Sequence, residues 1–325
     1  MRVAIVGAGV AGLAVAWRLR KAGLPVTIFE KSPKPGGRVW THTQGGFTWD
    51  AGATSIAPRG KAIEEVILNE LSADDLVRIE KPIWVHEALR VHSSDVSHSS
   101  AARYTYSTGI AEFANRLSAN ADVRFDTPVD EIGRSGDSYI VGGEEFDHVV
   151  LTLPLPLTSQ LLWTIDEQRP MSNVSYRQCL SVMLGFAVAP NDIHYHAIID
   201  PEQTHPMTWL SIESEKSPLR APAGGSAMVM QLSARFSKDN FDKSDDFFVT
   251  TALAFTKHLY GEEFGHAEIG LVKRWKYSQP ENLARFEAVN QPGSKILVAS
   301  DGLLGGRIEE TFECGYRVGE LLINA

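Results

Sequence analysis

Gly7, Gly9 and Gly12 stand between the apolar run "VAIV" and an amphipathic stretch, and Glu30 closes the next apolar run, "VTIFE". Glycine at these spacings does three things. It permits a tight turn at 7, brings bare backbone up to a diphosphate at 9, and lets a helix pack closely on a strand at 12. The helix that begins there offers free N–H groups and the positive end of its dipole to phosphate oxygens. A carboxylate arriving at 30 can accept the hydroxyls of a ribose and would repel a 2′-phosphate. The chemistry these types and spacings support is dinucleotide binding by Gly7, Ala8, Gly9, Val10, Ala11, Gly12 and Glu30, with FAD or NAD as the occupant. A lone G-x-G-x-x-G is weak evidence. Strand, glycine turn, helix, second strand and acid in that order are much stronger evidence.

The elements that position these residues are legible around them. "VAIV" is uninterrupted, as a strand buried on both faces of a parallel sheet must be. Leu13, Val15, Ala16, Trp17 and Leu19 alternate with Arg18, Arg20 and Lys21 at helical spacing, Gly23 ends the helix, and Pro25 blocks its continuation. Farther on, "KILVASDGLLGGRIEETFECGYRVGELL" reads as strand, glycine-rich turn and amphipathic helix. "CLSVMLGFAVA", "HYHAIID", "MTWLSI" and "AMVMQLSA" read as strands, and "DDFFVTTALAFTKHLYG" as a helix stopped by Gly261. The serine-rich "HSSDVSHSSAARYTYS" reads as an exposed loop.

The segment after the first acid, "KSPKPGGRVWTHTQGGFTWDAGATSI", resembles the second glycine motif of the amine-oxidase-like FAD-dependent oxidoreductases. In that family a basic residue follows the acid, then G-G-R, a short hairpin and a D-x-G-A/G turn. The matching residues are Lys31, Gly36, Gly37, Arg38 with Val39, and "WDAGAT" with Gly52, Ala53 and Thr54. The C-terminal stretch resembles the family's last flavin motif. Asp301 matches its acid near the ribityl–diphosphate region, and Arg307, Ile308 and Glu309 match the helix start at the flavin O2 edge. Two departures stand out: Asp301 replaces the Glu of some members, and Glu310-Thr311 replaces Gly-Ala. "GIAEFANRLS" matches a short family helix and "DVRFDTPVDEI" a strand pair in which Val129 holds the adenine through its backbone. "YIVGGEEFDHVVLTLP" matches a hairpin leading into a buried strand.

This resemblance implies an α/β chain, with a Rossmann-type (GR2-like) FAD-binding domain and a smaller β-rich α+β substrate domain. The expected boundaries are 1–80, 107–160 and 280–325 for the first, and 81–106 and 161–279 for the second. It implies non-covalent FAD, because "WKYSQPENLARFEAVNQPG", where covalent members carry their Cys, has none. "VKRWKYSQPEN" and the short length are similar to renalase-like proteins. That similarity implies hydride transfer from a small planar donor, a dihydronicotinamide isomer of NAD(P)H, to flavin N5, with oxygen as acceptor. An amine oxidase or desaturase, or a flavin-binding module without turnover, are the alternatives. Trp275, Tyr277, Trp209 and Tyr195, with Trp163, are the aromatic candidates for the substrate pocket, although each would serve equally well in a core. Lys273 and Lys276 could approach the flavin. No acid or base declares itself.

The 325 residues suffice for two domains. The composition, 43% hydrophobic and 22% charged, is that of an ordinary globular protein. A net charge of −9 argues against nucleic acid or an anionic membrane surface as partner. Cys179 and Cys314 have no metal or disulfide spacing. His194 and His196 alternate on one presumed face but lack a third ligand for a metal. No apolar run approaches the ~20 residues of a membrane helix, and nothing has the layout of a signal peptide. These features together point to a soluble cytoplasmic protein acting on a small molecule.

Overall fold

A computed structural model describes residues 1–87, 90–93 and 101–324. All four residues of Val3–Val6 are buried, as an unbroken apolar run requires. They form the middle strand of a five-stranded parallel sheet, whose order by residue is 296–298, 148–151, 3–6, 26–29 and 122–124. Val3 lies opposite both Val26 and His148, and Val150 lies opposite Leu297. The helix Val10–Lys21 returns from the first strand and packs along the C-terminal helix Ile308–Ile323. Their approach depends on Gly315, where a Cβ would lie 2.2 Å from the Ala11 carbonyl oxygen.

The second body is a seven-stranded sheet, in the order 269–280, 176–186, 226–232, 207–212, 197–199, 83–87 and 90–93. Its neighbours are antiparallel except for the pair 83–87 and 197–199. The period of two divides its side chains between two cores. Leu180, Val182, Leu184, Leu210, Met228 and Met230 face Phe248, Ala252 and Phe255. Those three belong to the helix Asp245–Tyr260, which Gly261 ends at φ 105°. On the other face Met183, Ala227 and Val229 pack on Phe47, Trp49 and Ala51. The last three belong to the hairpin Thr41–Gln44/Phe47–Asp50 and the turn after it. At the hairpin's open end Asp50 and Thr41 accept the N–H groups of Ile110 and Ala111 at the start of the helix Ala111–Ser118.

Three expected elements differ. Of the strand pair expected over 122–132, only Asp122–Arg124 is a strand, because Asp126 at φ 52° turns the chain back. Of the serine-rich stretch, residues 94–100 lie outside the described residues. Its end is not a loop: Tyr104–Tyr106 pairs with Leu76–Arg78, as its aromatic and β-branched residues favour. "HYHAIID" contributes only Ala197–Ile199 as strand. Among the described residues no helix is long and apolar enough to cross a membrane.

Candidate cofactor and substrate site

Gly7 turns the chain out of the first strand at φ 107°, and its N–H donates to the Phe29 carbonyl at 2.8 Å. Gly12 has no room for a side chain, since a Cβ would lie 2.0 Å from the Gly7 oxygen. Gly9 is the opposite case: nothing lies within 4 Å of where its Cβ would be. Gly37 faces the same opening, with Gly9 Cα, at 3.5 Å, as the one atom near its Cβ position. The two glycine motifs are joined directly, the Gly36 N–H donating to the Ala8 carbonyl at 2.8 Å. The helix Val10–Lys21 has no side-chain cap at Gly9 and no acid in its first turn. Its first N–H groups therefore keep their hydrogen-bonding capacity and the dipole is uncompensated. Bare backbone on two sides of an open space at such a helix start fits a diphosphate.

Glu30 is buried at the end of the second strand. One oxygen accepts the Ala8 N–H at 2.8 Å and the other the Ser32 N–H at 2.9 Å, which leaves further lone pairs for ribose hydroxyls. Lys31 is exposed beside it. Val129 is half-buried against the core of the parallel sheet, its segment tied to Glu30 by the Thr127 N–H donating to the Glu30 carbonyl at 2.9 Å.

Arg38 reaches from the second glycine motif to the C-terminal one. Its Nη1 donates to Asp301 Oδ2 at 2.5 Å and to the Ser278 carbonyl at 2.9 Å. Asp301 is buried and accepts the Tyr176 hydroxyl on Oδ1 at 2.8 Å. Burial and then the Asp301 charge hold that hydroxyl well above the ordinary tyrosine pKa. The rest of the Arg38 guanidinium has no partner among the described residues and can serve a cofactor oxygen. Val39 is buried behind it. Arg307 is the exposed N-cap of the C-terminal helix and Ile308 its buried first residue. Glu310 closes a capping box by accepting the Arg307 N–H at 3.1 Å, so the unusual residue at this place secures the helix start.

The turn Ala51–Thr54 is clasped from the seven-stranded sheet and the loop beyond it. The Trp275 indole N–H donates to the Ala51 carbonyl at 2.8 Å, Gln231 Nε2 to Gly52 at 2.7 Å, and Lys216 Nζ to Thr54 at 2.8 Å. The Ala53 N–H donates to the Arg38 carbonyl at 2.9 Å. A Cβ on Gly52 would lie 1.9 Å from that carbonyl oxygen, so only glycine fits. Beneath the turn lies a charged quartet with no solvent access: Asp50, Glu213, Lys216 and Arg220. Arg220 Nη1 bonds Asp50 at 2.6 Å and also Glu213, and Lys216 Nζ bonds Glu213 at 2.6 Å. Asp50 further accepts the Ile110 N–H at 2.9 Å and the Thr41 hydroxyl at 2.7 Å. Burial raises the Asp50 pKa, but Arg220 and Lys216 outweigh it and hold the carboxyl below its ordinary value. Sequence reasoning passed over Glu213, Lys216, Arg220, Gln231 and Tyr176. No motif surrounds them, and only the fold brings them under a turn far away in the chain.

Of the aromatic candidates, Trp275 and Tyr277 do share a face of the strand Ile269–Pro280. Trp275 meets Trp40 edge-to-face at 6.2 Å, and Tyr277 meets Tyr176 at 5.8 Å. Lys273 Nζ lies 4.7 Å from the Trp40 ring and 5.0 Å from that of Trp275, its pKa lowered by burial and by Lys34. Lys276 is exposed over the Tyr277 ring. Trp209 occupies the same face three strands away, in the row Trp209–Gln231–Ser181–Lys273, and its indole N–H is buried without a partner among the described residues. Tyr195 does not belong with them. It packs on Trp84 in the core on the opposite face, its hydroxyl 3.3 Å from that of Tyr260, because that core claims large apolar side chains. Trp163 is 59% exposed at the end of its helix. His194 lies by Trp84 and His196 by Trp209, so they form no pair, and the described residues hold no metal-binding cluster.

A parallel sheet with a glycine-walled diphosphate cradle, an acid at the end of its second strand and a second glycine motif joined to the first fits FAD as its dinucleotide. The pattern of flavin-containing amine oxidoreductases matches residues 10–94 and 92–322, and the chain belongs to that family. The lycopene-forming phytoene desaturase of Pantoea ananas is 50% identical over 62 residues, 19% of this chain and 12% of that protein. The chain thus spans a small part of the length of this curated relative. Among solved structures, a reduced UDP-galactopyranose mutase superposes with TM-score 0.83 at 13% identity, covering 99% of this chain and 95% of that one. Putrescine oxidase bound to putrescine gives 0.76 at 14% identity, covering 100% of both chains. The structural likenesses fix the fold, and membership of the flavin-containing family gives the cofactor.

Proposed function

We propose that the protein oxidises a small planar donor by hydride transfer, and that the donor is a dihydronicotinamide isomer of NAD(P)H with oxygen as final acceptor. The observation that carries this reading is the wall formed by Trp40, Lys273 and Trp275 beside the turn Ala51–Thr54. FAD, when bound, supplies the hydride-accepting atom. The chain's own residues bind and orient. Gly9, Gly37 and the helix start would hold the diphosphate, Glu30 the ribose, and Arg38 with Asp301 the region between cradle and ring. The edges of Trp40 and Trp275 offer apolar surface for a flat ring and exclude water from it. One G-x-G-x-x-G fingerprint is present, so a nicotinamide donor would bind as substrate and not on a second nucleotide domain.

The second reading, oxidation of a C–N or C–C bond, is favoured by the desaturase and putrescine oxidase likenesses. Anaerobic mixing of the yellow holoprotein with dihydronicotinamide isomers and with amines distinguishes them by loss of the flavin band. Bleaching by a dihydropyridine supports the first reading. Bleaching by an amine alone replaces it with the second, and bleaching by neither leaves a flavin-binding module. Acid precipitation should release all colour to the supernatant. Colour kept in the pellet would refute non-covalent attachment.

A further inference from the structure

The hairpin covers only part of the inner face of the seven-stranded sheet. Met183, Ala227 and Val229 lie under it, while Leu180, Val182, Leu210 and Met230 turn to the other core. Strand side chains alternate, so Trp209, Gln231, Ser181 and Lys273 share the inner face, and the pairing sets them side by side in that order. Trp209, Gln231 and Lys273 are only half-buried there, so open space lies before the row. Gln231 Nε2 donates to the Gly52 carbonyl at 2.7 Å, which puts the row beside the turn Ala51–Thr54.

Ser181 is fully buried, and its hydroxyl finds no partner among the described residues better than the weakly bonding thiol of Cys179. The Trp209 indole N–H is buried and unpartnered as well. Buried groups of these types are ordinarily satisfied, and one left over costs free energy until a ligand or water meets it. At the end of the row Lys273 rests its ammonium on the rings of Trp40 and Trp275, 4.7 and 5.0 Å away, with no ion pair among the described residues. An indole N–H and an ammonium only donate, a hydroxyl can donate, and Gln231 has its nitrogen committed to Gly52. The rows on either side, Ser211–Val229–Met183–Leu271 and Cys179–Trp275, carry no carboxylate. Asp50, Glu213 and Asp301 are each engaged by a cation. The row thus presents hydrogens and positive charge, which complement an acceptor oxygen and oppose a cation.

We propose that Ser181 and Trp209 donate to a carbonyl oxygen of the substrate, and that Lys273 at the end of their row excludes an ammonium. This rests on the function proposed above and names the group that is recognised, the carboxamide of a dihydronicotinamide. A carbonyl oxygen has two lone pairs and can take both hydrogens. Benzamide and benzylamine set a neutral carbonyl against an ammonium on the same ring, and their binding to oxidised holoprotein is read from the flavin band. Near neutral pH the parent protein should bind benzamide about tenfold or more tightly than benzylamine. Ser181→Ala and Trp209→Phe should each weaken benzamide by about five- to tenfold, as the loss of one hydrogen bond allows, and leave benzylamine unchanged. Lys273→Met should narrow the preference by strengthening benzylamine; an unchanged preference there would overturn the exclusion. Benzylamine bound by the parent as tightly as benzamide would overturn the proposal. So would unchanged benzamide affinity in both Ser181→Ala and Trp209→Phe, which would leave trapped water as the partner of these groups. A loss of flavin from either variant would give the row to the cofactor and overturn it too. Flavin reduction separates this proposal from the reading it rests on. A dihydronicotinamide that bleaches the parent and both variants with one KM upholds hydride transfer and sinks the row. Benzamide held through Ser181 and Trp209 by a protein that no dihydropyridine reduces upholds the row and sinks the donor.

Discussion

Each oxygen of Glu30 already accepts a backbone N–H, one from the glycine turn and one from Ser32. The carboxylate therefore shapes the cradle as well as offering itself to a ribose. Charge-assisted bonds of this kind contribute ~1.5–3 kcal/mol each. Glu30→Ala should weaken FAD binding by about one to two orders of magnitude, at ~1.4 kcal/mol per order. Equilibrium titration of apoprotein with FAD checks this; an unchanged Kd would place the ribose elsewhere. Trp275 also has two tasks, a ring edge towards Trp40 and an N–H to the Ala51 carbonyl. Trp275→Phe keeps the first and loses the second; Trp275→Ala loses both. Both variants should retain FAD, and stopped-flow flavin reduction should slow more in Trp275→Ala. Equal rates for the two would remove the ring from the pocket. Glu30, Arg38 and Trp275 were legible because motif spacing marks them. Tyr195 was not, because an aromatic in a strand is equally at home on either face until the register is known.

At the scale of elements, period and punctuation carried most of the information. The helices 10–21 and 245–260 follow from apolar spacing and glycine stops, and the continuous strands 3–6 and 26–29 from unbroken apolar runs. The short strand 104–106 was illegible because its partner, 76–78, is remote and pairing is a tertiary fact. The turn 51–54 was visible as a motif, but the three side chains that clasp it were not. Its geometry makes a direct prediction. Gly52→Ala would drive a Cβ into the Arg38 carbonyl, 1.9 Å away, and must push the turn off the second glycine motif. The purified variant should be folded by circular dichroism and depleted in FAD. Full flavin occupancy in Gly52→Ala would mean that the turn does not touch the cofactor.

Segments far apart in the chain are also joined through buried charge. Asp50 comes from the hairpin 41–50, while Glu213, Lys216 and Arg220 come from beyond the strand 207–212. Removing one partner of such a buried set strands the others, which typically costs about 3–5 kcal/mol. Arg220→Met should lower the unfolding free energy by about that much in denaturant titration; a loss below 1 kcal/mol (about the worth of an exposed pair) would show that water reaches the quartet. Acid should loosen the same region. His196 is buried, and desolvation followed by the Lys216 charge lowers its pKa to about 3. Above about pH 6.5 it is neutral both folded and unfolded and contributes no slope. Below that, the unfolded chain takes up a proton the folded chain refuses, so stability falls with pH, by up to ~1.4 kcal/mol per unit, until about pH 3. His196→Asn should flatten that part of the profile; an unchanged slope would assign it to other groups.

The parallel sheet takes its strands from residues 3–29, 122–151 and 296–298, and the antiparallel sheet takes its strands from the intervals between. A ribosome delivers these pieces in order, N-terminal first. The strands 83–93 and 176–280 are thus complete while the edge strand 296–298 and the helix 308–323 are still unmade. The nascent chain can close its seven-stranded sheet first, while the edge strand 296–298, Asp301 and the helix that supports Ala11 arrive later. Flavin capture must thereby wait until the helix 308–323 has been made, and a ribosome-stalled chain ending before 296 should emerge without colour.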